Sequence, residues 1–237
     1  MALDMKKEQT AGMAAALNRM LTTLEQKVNP AHAALIVVDV QNDFCAKDGY
    51  LDKETGRVGL CQAMVPRLVE FIEKARKVNL PIIYIQSEYN TGNTWYLSDV
   101  WLERKYSRRA KGGYIGYPVC EPNSWGAEFY DGIHPLPDEL IVKKHRYSAF
   151  IDTDLDLILR SKSIRTLIMS GTTTSVCVES TARHGFMKDY YIVFLKDCTG
   201  EVSEEIHERT LKVIDNAFGE VVASTDVVKC WEKLGSK

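Results

Sequence analysis

The amino-acid sequence predicts an α/β domain in which helices cover both faces of a mostly parallel β-sheet. The first observation is a continuous apolar run at residues 34–38, which is typical of a strand buried on both faces. The second is that five more short apolar runs follow along the chain. The third is that amphipathic helical patterns separate several of these runs, and alternating strands and helices are typical of layered α/β domains.

The predicted strands correspond to the apolar runs at 34–38, 81–85, 140–142, 166–169, 191–195 and 220–223. The predicted helices lie at about 59–78, 153–162, 175–188 and 203–217. The stretch 87–138 interrupts the alternation. It contains three tryptophans and several loop-forming residues: Trp95, Trp101, Trp125, Gly92, Gly112, Gly113, Gly116 and Pro118. A long loop in a compact domain is usually functional or disordered, and the aromatic content argues against disorder. We therefore expect an insertion that covers the mouth of the active site.

Length and composition indicate one domain at 31–237, preceded by an N-terminal helical extension at 1–30. The chain has 237 residues, of which 45% are hydrophobic, and a formal net charge of -2. This charge gives no global attraction to nucleic acid or to acidic membranes. The segment 103–111 holds five basic residues and one acid, and such a run is more often a solvated face than a nucleic-acid site. We expect neither nucleic acid nor a membrane as partner.

The six cysteines and the N-terminus favour a cytoplasmic protein. No two cysteines form a Cys-x-x-Cys pair, and a domain of this size needs no disulfide, so free thiols in a reducing compartment are expected. No apolar run approaches the roughly 18–20 residues needed to cross a bilayer. The first twelve residues lack the apolar core of a signal peptide.

Three reactive side chains follow three separate predicted strands. Asp39 follows the first strand, Lys143 and Lys144 follow the third, and the segment that contains Cys177 follows the fourth. Ligands bind beyond the carboxyl ends of the strands in open parallel sheets, so an acid, a cation and a thiol converge there. Taken singly, an aspartate is usually a cap, a lysine is usually solvated and a cysteine is usually an inert core residue. Their convergence is the more specific signal.

The thiol has the features of an activated nucleophile. Cys177 lies near a predicted helix N-terminus, where free backbone N–H groups and the helix dipole favour an anion and lower a thiol pKa. A neighbouring lysine acts in the same direction. His184 lies two helical turns further on, about 10 Å away, which is outside hydrogen-bond reach. Asp39 is therefore the candidate base for the thiol proton.

Three segments resemble the signature segments of the isochorismatase-like cysteine hydrolases. They are Asp-Val-Gln-Asn-Asp-Phe at 39–44, Lys-His-Arg-Tyr-Ser-Ala-Phe at 144–150 and Gly-Thr-Thr-Thr-Ser-Val-Cys-Val-Glu-Ser-Thr-Ala-Arg at 171–183. The resemblance covers about residues 33–228. It implies a Rossmann-like, three-layer α/β/α fold and an Asp39–Lys144–Cys177 catalytic triad. It also selects Lys144 over Lys143, because the family lysine precedes the x-Arg-Tyr-Ser-Ala-Phe run.

The resemblance implies further site residues. Backbone N–H groups of Thr173 and Cys177 would form an oxyanion hole, aimed by a cis peptide bond between Thr172 and Thr173. Phe44 and Thr172 would contact the substrate. Other short segments resemble the subgroup that hydrolyses carbamoyl and ureido compounds, which includes N-carbamoylsarcosine amidase, ureidoacrylate amidohydrolase and biuret hydrolase; these segments are 49–51, 177–181 and 218–219.

The resemblance thus implies a cysteine-dependent amidohydrolase that acts on a small linear amide or ureide through a thioester and releases ammonia. Nicotinamidases of this family carry a histidine-containing metal site, but the segment 86–90 here has no histidine. None of the five histidines is spaced as a ligand pair. We expect no metal and no cofactor. Two alternatives stay open: a hydrolase of cyclic or aromatic amides, and a binding homologue without activity.

The N-terminal segment predicts an assembly. Apolar residues at helical spacing indicate an amphipathic helix at 8–28. Such a helix packs either on its own domain or on a neighbouring subunit. Because later helices already cover both faces of the sheet, we expect a homo-oligomer, and the relatives imply a dimer or tetramer. The residues expected at the subunit contact are Met13, Leu17, Met20 and Leu24.

Overall fold

The computed structural model describes residues 13–14, 16–89, 96–106 and 118–235. It contains one six-stranded sheet in which every strand pair is parallel. The strands are β1 (Ala33–Val38), β2 (Ile82–Ser87), β3 (Leu140–Lys144), β4 (Thr166–Thr172), β5 (Tyr191–Gly200) and β6 (Glu220–Val222). All six predicted strands are therefore confirmed. Several extend beyond their apolar runs at the carboxyl end, where the polar residues of the candidate site lie.

The strand order is β3-β2-β1-β4-β5-β6. The chain moves outward from β1 to β3, then returns to the centre and moves outward on the other side from β4 to β6. The change of direction lies between β1 and β4, which pair along residues 33–38 and 166–171. A crevice at such a switch point is the usual ligand site of an open α/β sheet.

Residues 13–14 and 16–17 are helical, and between residues 24 and 235 the described part of the chain contains nine α-helices around the sheet. They are α1 (Leu24–Lys27), α2 (Asn42–Cys45), α3 (Tyr50–Thr55), α4 (Gly59–Lys77), α5 (Asp99–Tyr106), α6 (Leu155–Ser161), α7 (Glu179–Met187), α8 (Glu204–Ala217) and α9 (Ser224–Gly235). A 3₁₀ turn lies at Trp125–Ala127 and a π-helical turn at Thr174–Val178. The four predicted helices correspond to α4, α6, α8 and the π turn with α7.

Two apolar layers hold the helices against the sheet. Alternate residues of β1 point to opposite faces, and β1 is buried along its whole length. On one face Leu35 and Val37 belong to a core cluster with residues of α4 and α9; on the other, Ala34, Ile36 and Val38 belong to a cluster with residues of α6, α7 and α8. The three-layer α/β/α fold is thus confirmed.

The prediction of one continuous helix at 8–28 is wrong. Residues 18–23 are not helical, and α1 is a separate short helix that Thr23 and Gln26 cap reciprocally. Leu24 packs against the domain core, and the buried carbonyl of Val28 accepts a hydrogen bond of 2.7 Å from Trp231 Nε1. Residues 24–28 therefore stabilise their own domain. The prediction that Leu24 contributes to a subunit contact is not supported, because Leu24 packs on the domain core. Residues 1–12 and 15 lie outside the described residues.

The described parts of the 87–138 stretch form a small third core. Tyr89, Leu97, Val119, Cys120 and Ala127 are buried together with Tyr50 of α3. Phe44, Trp101 and Leu102 pack against this group. Gly92, Trp95, Gly112, Gly113 and Gly116, which the sequence placed in the insertion, lie outside the described residues.

The described helices include none that is both long enough and apolar enough to span a membrane.

Candidate active site

Three structural elements place the residues of the predicted triad at the carboxyl edge of the sheet. Asp39 follows β1 directly and has a left-handed backbone conformation, with φ of 50°. Lys144 is the last residue of β3. Cys177 lies in the π-helical turn that connects β4 to α7. The long side chain of Lys144 spans the end of β2, which separates β3 from β1, and so reaches the switch point.

The Lys144 ammonium contacts both other residues of the predicted triad. Its ammonium lies 2.7 Å from Asp39 Oδ2, and both side chains are 0% exposed. The same nitrogen donates to Ser87 Oγ at 2.7 Å and to the carbonyl of Arg146 at 3.0 Å. Its distance to Cys177 Sγ is 3.6 Å. The structure therefore brings the predicted acid, cation and thiol into one buried cluster.

Lys144 stays charged in this cluster. Burial by itself favours the neutral amine, but Asp39 and Cys177 outweigh burial and raise the pKa of Lys144 above its usual value. The raised pKa favours the charged ammonium near neutral pH.

The expectation of a lowered thiol pKa is wrong. Burial raises the pKa of Cys177 to about 12; Lys144 opposes this effect and Asp39 adds to it. A raised pKa favours the neutral thiol at rest, and a neutral thiol needs a base when it attacks. Asp39 suits that role, because its carboxylate lies close enough to the thiol to contribute to the raised pKa of Cys177.

Gln41 fixes the end of β2 next to the triad. Its side-chain oxygen accepts from the Ser87 backbone N–H at 2.8 Å, and its Nε2 donates to the carbonyls of Ser87 and Ala127. Ser87 Oγ in turn accepts the hydrogen bond from the Lys144 ammonium. Gln41 belongs to the first signature segment, but its role as a support depends on tertiary contacts that the sequence does not reveal.

A cavity of about 260 Å³ opens beside the thiol. Phe44, Thr172, Thr173 and Cys177 all line it, so each residue expected at the oxyanion hole or substrate site lies at its wall. The Thr172–Thr173 peptide bond is cis, as the resemblance implied. Thr172 Oγ1 also donates to the Asp39 carbonyl at 2.8 Å, which ties the ends of β1 and β4 together.

Four further lining residues, the remaining aromatic and charged ones, had no assigned role in the sequence. They are Tyr50, Tyr89, Tyr147 and Glu201. Tyr50 and Tyr147 lie within the segments that carry the resemblance, which was an available signal. Tyr89 lies in the insertion, where the aromatic content was noticed. Glu201 had no sequence signal beyond its position after a strand.

The histidines do not contribute to this cluster. His184 Nδ1 lies 3.0 Å from Ser148 Oγ, and His207 Nδ1 lies 2.9 Å from Thr174 Oγ1. Among the described residues, no group of three or more histidine, cysteine, aspartate or glutamate side chains is arranged to hold a metal ion.

A family model for the isochorismatase domain matches residues 33–226, so the chain belongs to the isochorismatase family of hydrolases. Curated relatives with the name ureidoacrylate amidohydrolase RutB are similar to it. The protein from Enterobacter sp. (strain 638) is 32% identical over 206 residues, which cover 83% of this chain and 88% of that one. The protein from Methylobacterium radiotolerans is 30% identical over 218 residues, which cover 88% of this chain and 81% of that one.

Solved structures give the same result for the fold. A cysteine hydrolase from Pseudomonas syringae pv. phaseolicola 1448A superimposes with a TM-score of 0.75 at 27% identity, covering 87% of this chain and 95% of that one. N-carbamoylsarcosine amidase from Thermoplasma acidophilum gives a TM-score of 0.62 at 24% identity, covering 81% and 96%. The second likeness concerns the fold alone.

Proposed function

We propose that this protein is a cysteine-dependent amidohydrolase that cleaves a C–N bond of a small linear amide or ureido compound. The observation that carries the proposal is the buried contact of Lys144 with both Asp39 and Cys177 at the wall of a small cavity. The amidohydrolase names of the relatives support the same reaction class.

The reaction begins with proton transfer from Cys177 Sγ to Asp39 as the sulfur attacks the substrate carbonyl carbon. Lys144 stabilises the negative charge that develops on sulfur, since it stays positively charged throughout. Backbone N–H groups of Thr173 and Cys177 hold the oxyanion of the tetrahedral intermediate. Removal of one such donor typically lowers the rate by about 10²–10³-fold.

The protonated Asp39 then acts as general acid. It gives its proton to the departing nitrogen, the C–N bond breaks, and ammonia leaves while the acyl group stays on Cys177 as a thioester. Asp39 next removes a proton from a water molecule that attacks the thioester carbonyl. The C–S bond then breaks, Asp39 returns the proton to Cys177 Sγ, and the acid product leaves. No step in this sequence requires a metal ion or an organic cofactor.

Ammonia release from a panel of amides tests the proposal. The panel contains biuret, ureidoacrylate, N-carbamoyl amino acids and nicotinamide, with Cys177→Ser as the blank and EDTA-dialysed enzyme as a second arm. We expect at least one linear carbamoyl or ureido compound to be hydrolysed faster than nicotinamide, with unchanged rates after EDTA treatment. Preference for nicotinamide, or activity that zinc or manganese restores after dialysis, contradicts the proposal and favours the aromatic-amide alternative.

The homo-oligomer is also a proposal. Met13, Leu17 and Met20 are 63%, 56% and 47% exposed, so they remain available for a subunit contact.

A further inference from the structure

Glu201 places a carboxylate at the wall of the active-site cavity. It directly follows β5, and the residue is 3% exposed. It lines the cavity together with Cys177, and it is the one charged residue among the described residues that do so. The mechanism proposed above gives it no role.

The protein holds this carboxylate in one position. Oε2 accepts the backbone N–H of Ser175 and Oε1 accepts that of Val202, each at 2.8 Å. The preceding residue, Gly200, lies so close to α4 that a Cβ would be 2.7 Å from Cys61 Cα. A carboxylate oxygen accepts about two hydrogen bonds, so each oxygen keeps capacity for a ligand.

The charge of Glu201 is not cancelled by the triad. Asp39 and Lys144 pair with each other at 2.7 Å, so their charges offset, and Cys177 is neutral at rest. The cavity wall therefore carries one net negative charge in the described structure. The aromatic side chains of Phe44, Tyr50, Tyr89 and Tyr147 form much of the remaining wall. The faces of aromatic rings attract cations and N–H donors.

We propose that Glu201 sets the substrate class of this site. The cavity takes an amide or ureide whose end remote from the scissile carbonyl is an N–H donor or a cation, and it disfavours one that ends in a carboxylate. The inference rests on the proposed function for the identity of the reacting bond. It separates this chain from a reaction with ureidoacrylate, which ends in a carboxylate.

Charged thiol reagents test how the negative charge of Glu201 affects reaction rates at Cys177, and they require no substrate. Two methanethiosulfonates of similar size are used, with trimethylammonioethyl or sulfonatoethyl groups; in each, the Cys177 sulfur displaces methanesulfinate and forms a mixed disulfide. Rates at Cys177 are followed by peptide mass mapping and divided by the rates for free cysteine. We expect the wild type to favour the cationic reagent by about tenfold or more.

The variant Glu201→Gln keeps the shape of the side chain and one of its two acceptor oxygens but removes its charge. We expect the cation-to-anion ratio to fall about fivefold or more, whereas Glu179→Gln, a control that removes a carboxylate paired with Arg183, leaves it unchanged. Equal ratios in the wild type and Glu201→Gln overturn the inference. A wild-type ratio at or below that of free cysteine overturns it as well, even if the variant does not fold.

A matched substrate pair separates specificity from a structural role. Ureidoacetamide and ureidoacetate differ in the remote group alone, and their products are separated by chromatography. We expect Glu201→Gln to raise KM for the amide and lower KM for the acid, with kcat changed little. Equal losses of kcat on both compounds indicate that Glu201 serves merely to hold the π turn. If neither ureide nor any linear compound of the amide panel is hydrolysed but the reagent ratios behave as expected, the proposed function fails and the charge assignment stands.

Discussion

Lys143 and Lys144 are neighbours in β3, yet their surroundings differ because adjacent strand residues point to opposite faces. Lys143 is 59% exposed and pairs with Glu88 at the surface, whereas Lys144 is fully buried against Asp39. The sequence placed both at the carboxyl edge of the sheet, and the family resemblance selected Lys144. The burial pattern supports that choice.

We expect Lys144→Ala to lower kcat by about 10²-fold or more, since the site loses its fixed positive charge. Lys143→Ala is the matched control and is expected to stay within twofold of the wild type, because an exposed ion pair contributes about 0–1 kcal/mol. Loss of Lys144 also leaves Asp39 buried without its partner, which destabilises the fold. The activity of each variant is therefore divided by its folded fraction, which circular dichroism measures. Equal losses in the two variants refute the assignment.

At the scale of elements, the contact between the end of β5 and α4 fixes the site wall. We expect Gly200→Ala to lower the free energy of unfolding by about 1–3 kcal/mol, because the added Cβ meets the α4 backbone at Cys61. Gly59→Ala, at the start of the same helix, has open space around its Cβ and is expected to stabilise by about 0.4–1 kcal/mol. Urea unfolding of both variants measures the difference. Equal effects of the same sign contradict this packing.

The strands were predictable because each contains a short apolar run, and the central strands β1 and β4 are buried on both faces. The short helices α2 and α3 were not, since four and six residues are too few to show a helical period. The helix α9 was missed although the i, i+4 spacing of Val227 and Trp231 was visible in the sequence. The N-terminal helix was predicted too long because periodicity in apolar residues does not reveal a break.

The same limits apply to the site. Asp39 and Cys177 follow strands and Lys144 ends one, so topology alone brings them to one edge of the sheet. The raised pKa of Cys177 was not predictable, because it depends on burial by residues from several elements. Glu201 and Gln41 make their contacts across the fold, and no local pattern reveals those contacts.

At the scale of the whole molecule, the N-terminal segment divides into two parts. Residues 24–28 belong to the domain, since the carbonyl of Val28 accepts a hydrogen bond from Trp231 Nε1. We expect deletion of residues 1–23 to lower the oligomeric state while the domain stays folded, because it removes Met13, Leu17 and Met20. Deletion of 1–28 is expected to destabilise the domain as well.

Light scattering combined with thermal unfolding distinguishes these two deletions. A full-length chain that is a monomer at micromolar concentration refutes the proposed assembly. An unchanged oligomeric state after removal of residues 1–23 assigns the subunit contact to another surface.

The central claim is that Cys177 carries the acyl group during turnover. The most direct measurement is acid quenching during hydrolysis of the best amide in the panel, followed by peptide mass mapping. We expect a mass increase equal to the acyl group on the Cys177 peptide of the wild type. The Cys177→Ser protein is expected to show no such adduct and less than a few per cent of wild-type activity, because no base activates a serine hydroxyl sufficiently here. An acyl adduct on another residue, or substantial activity of Cys177→Ser, contradicts the account.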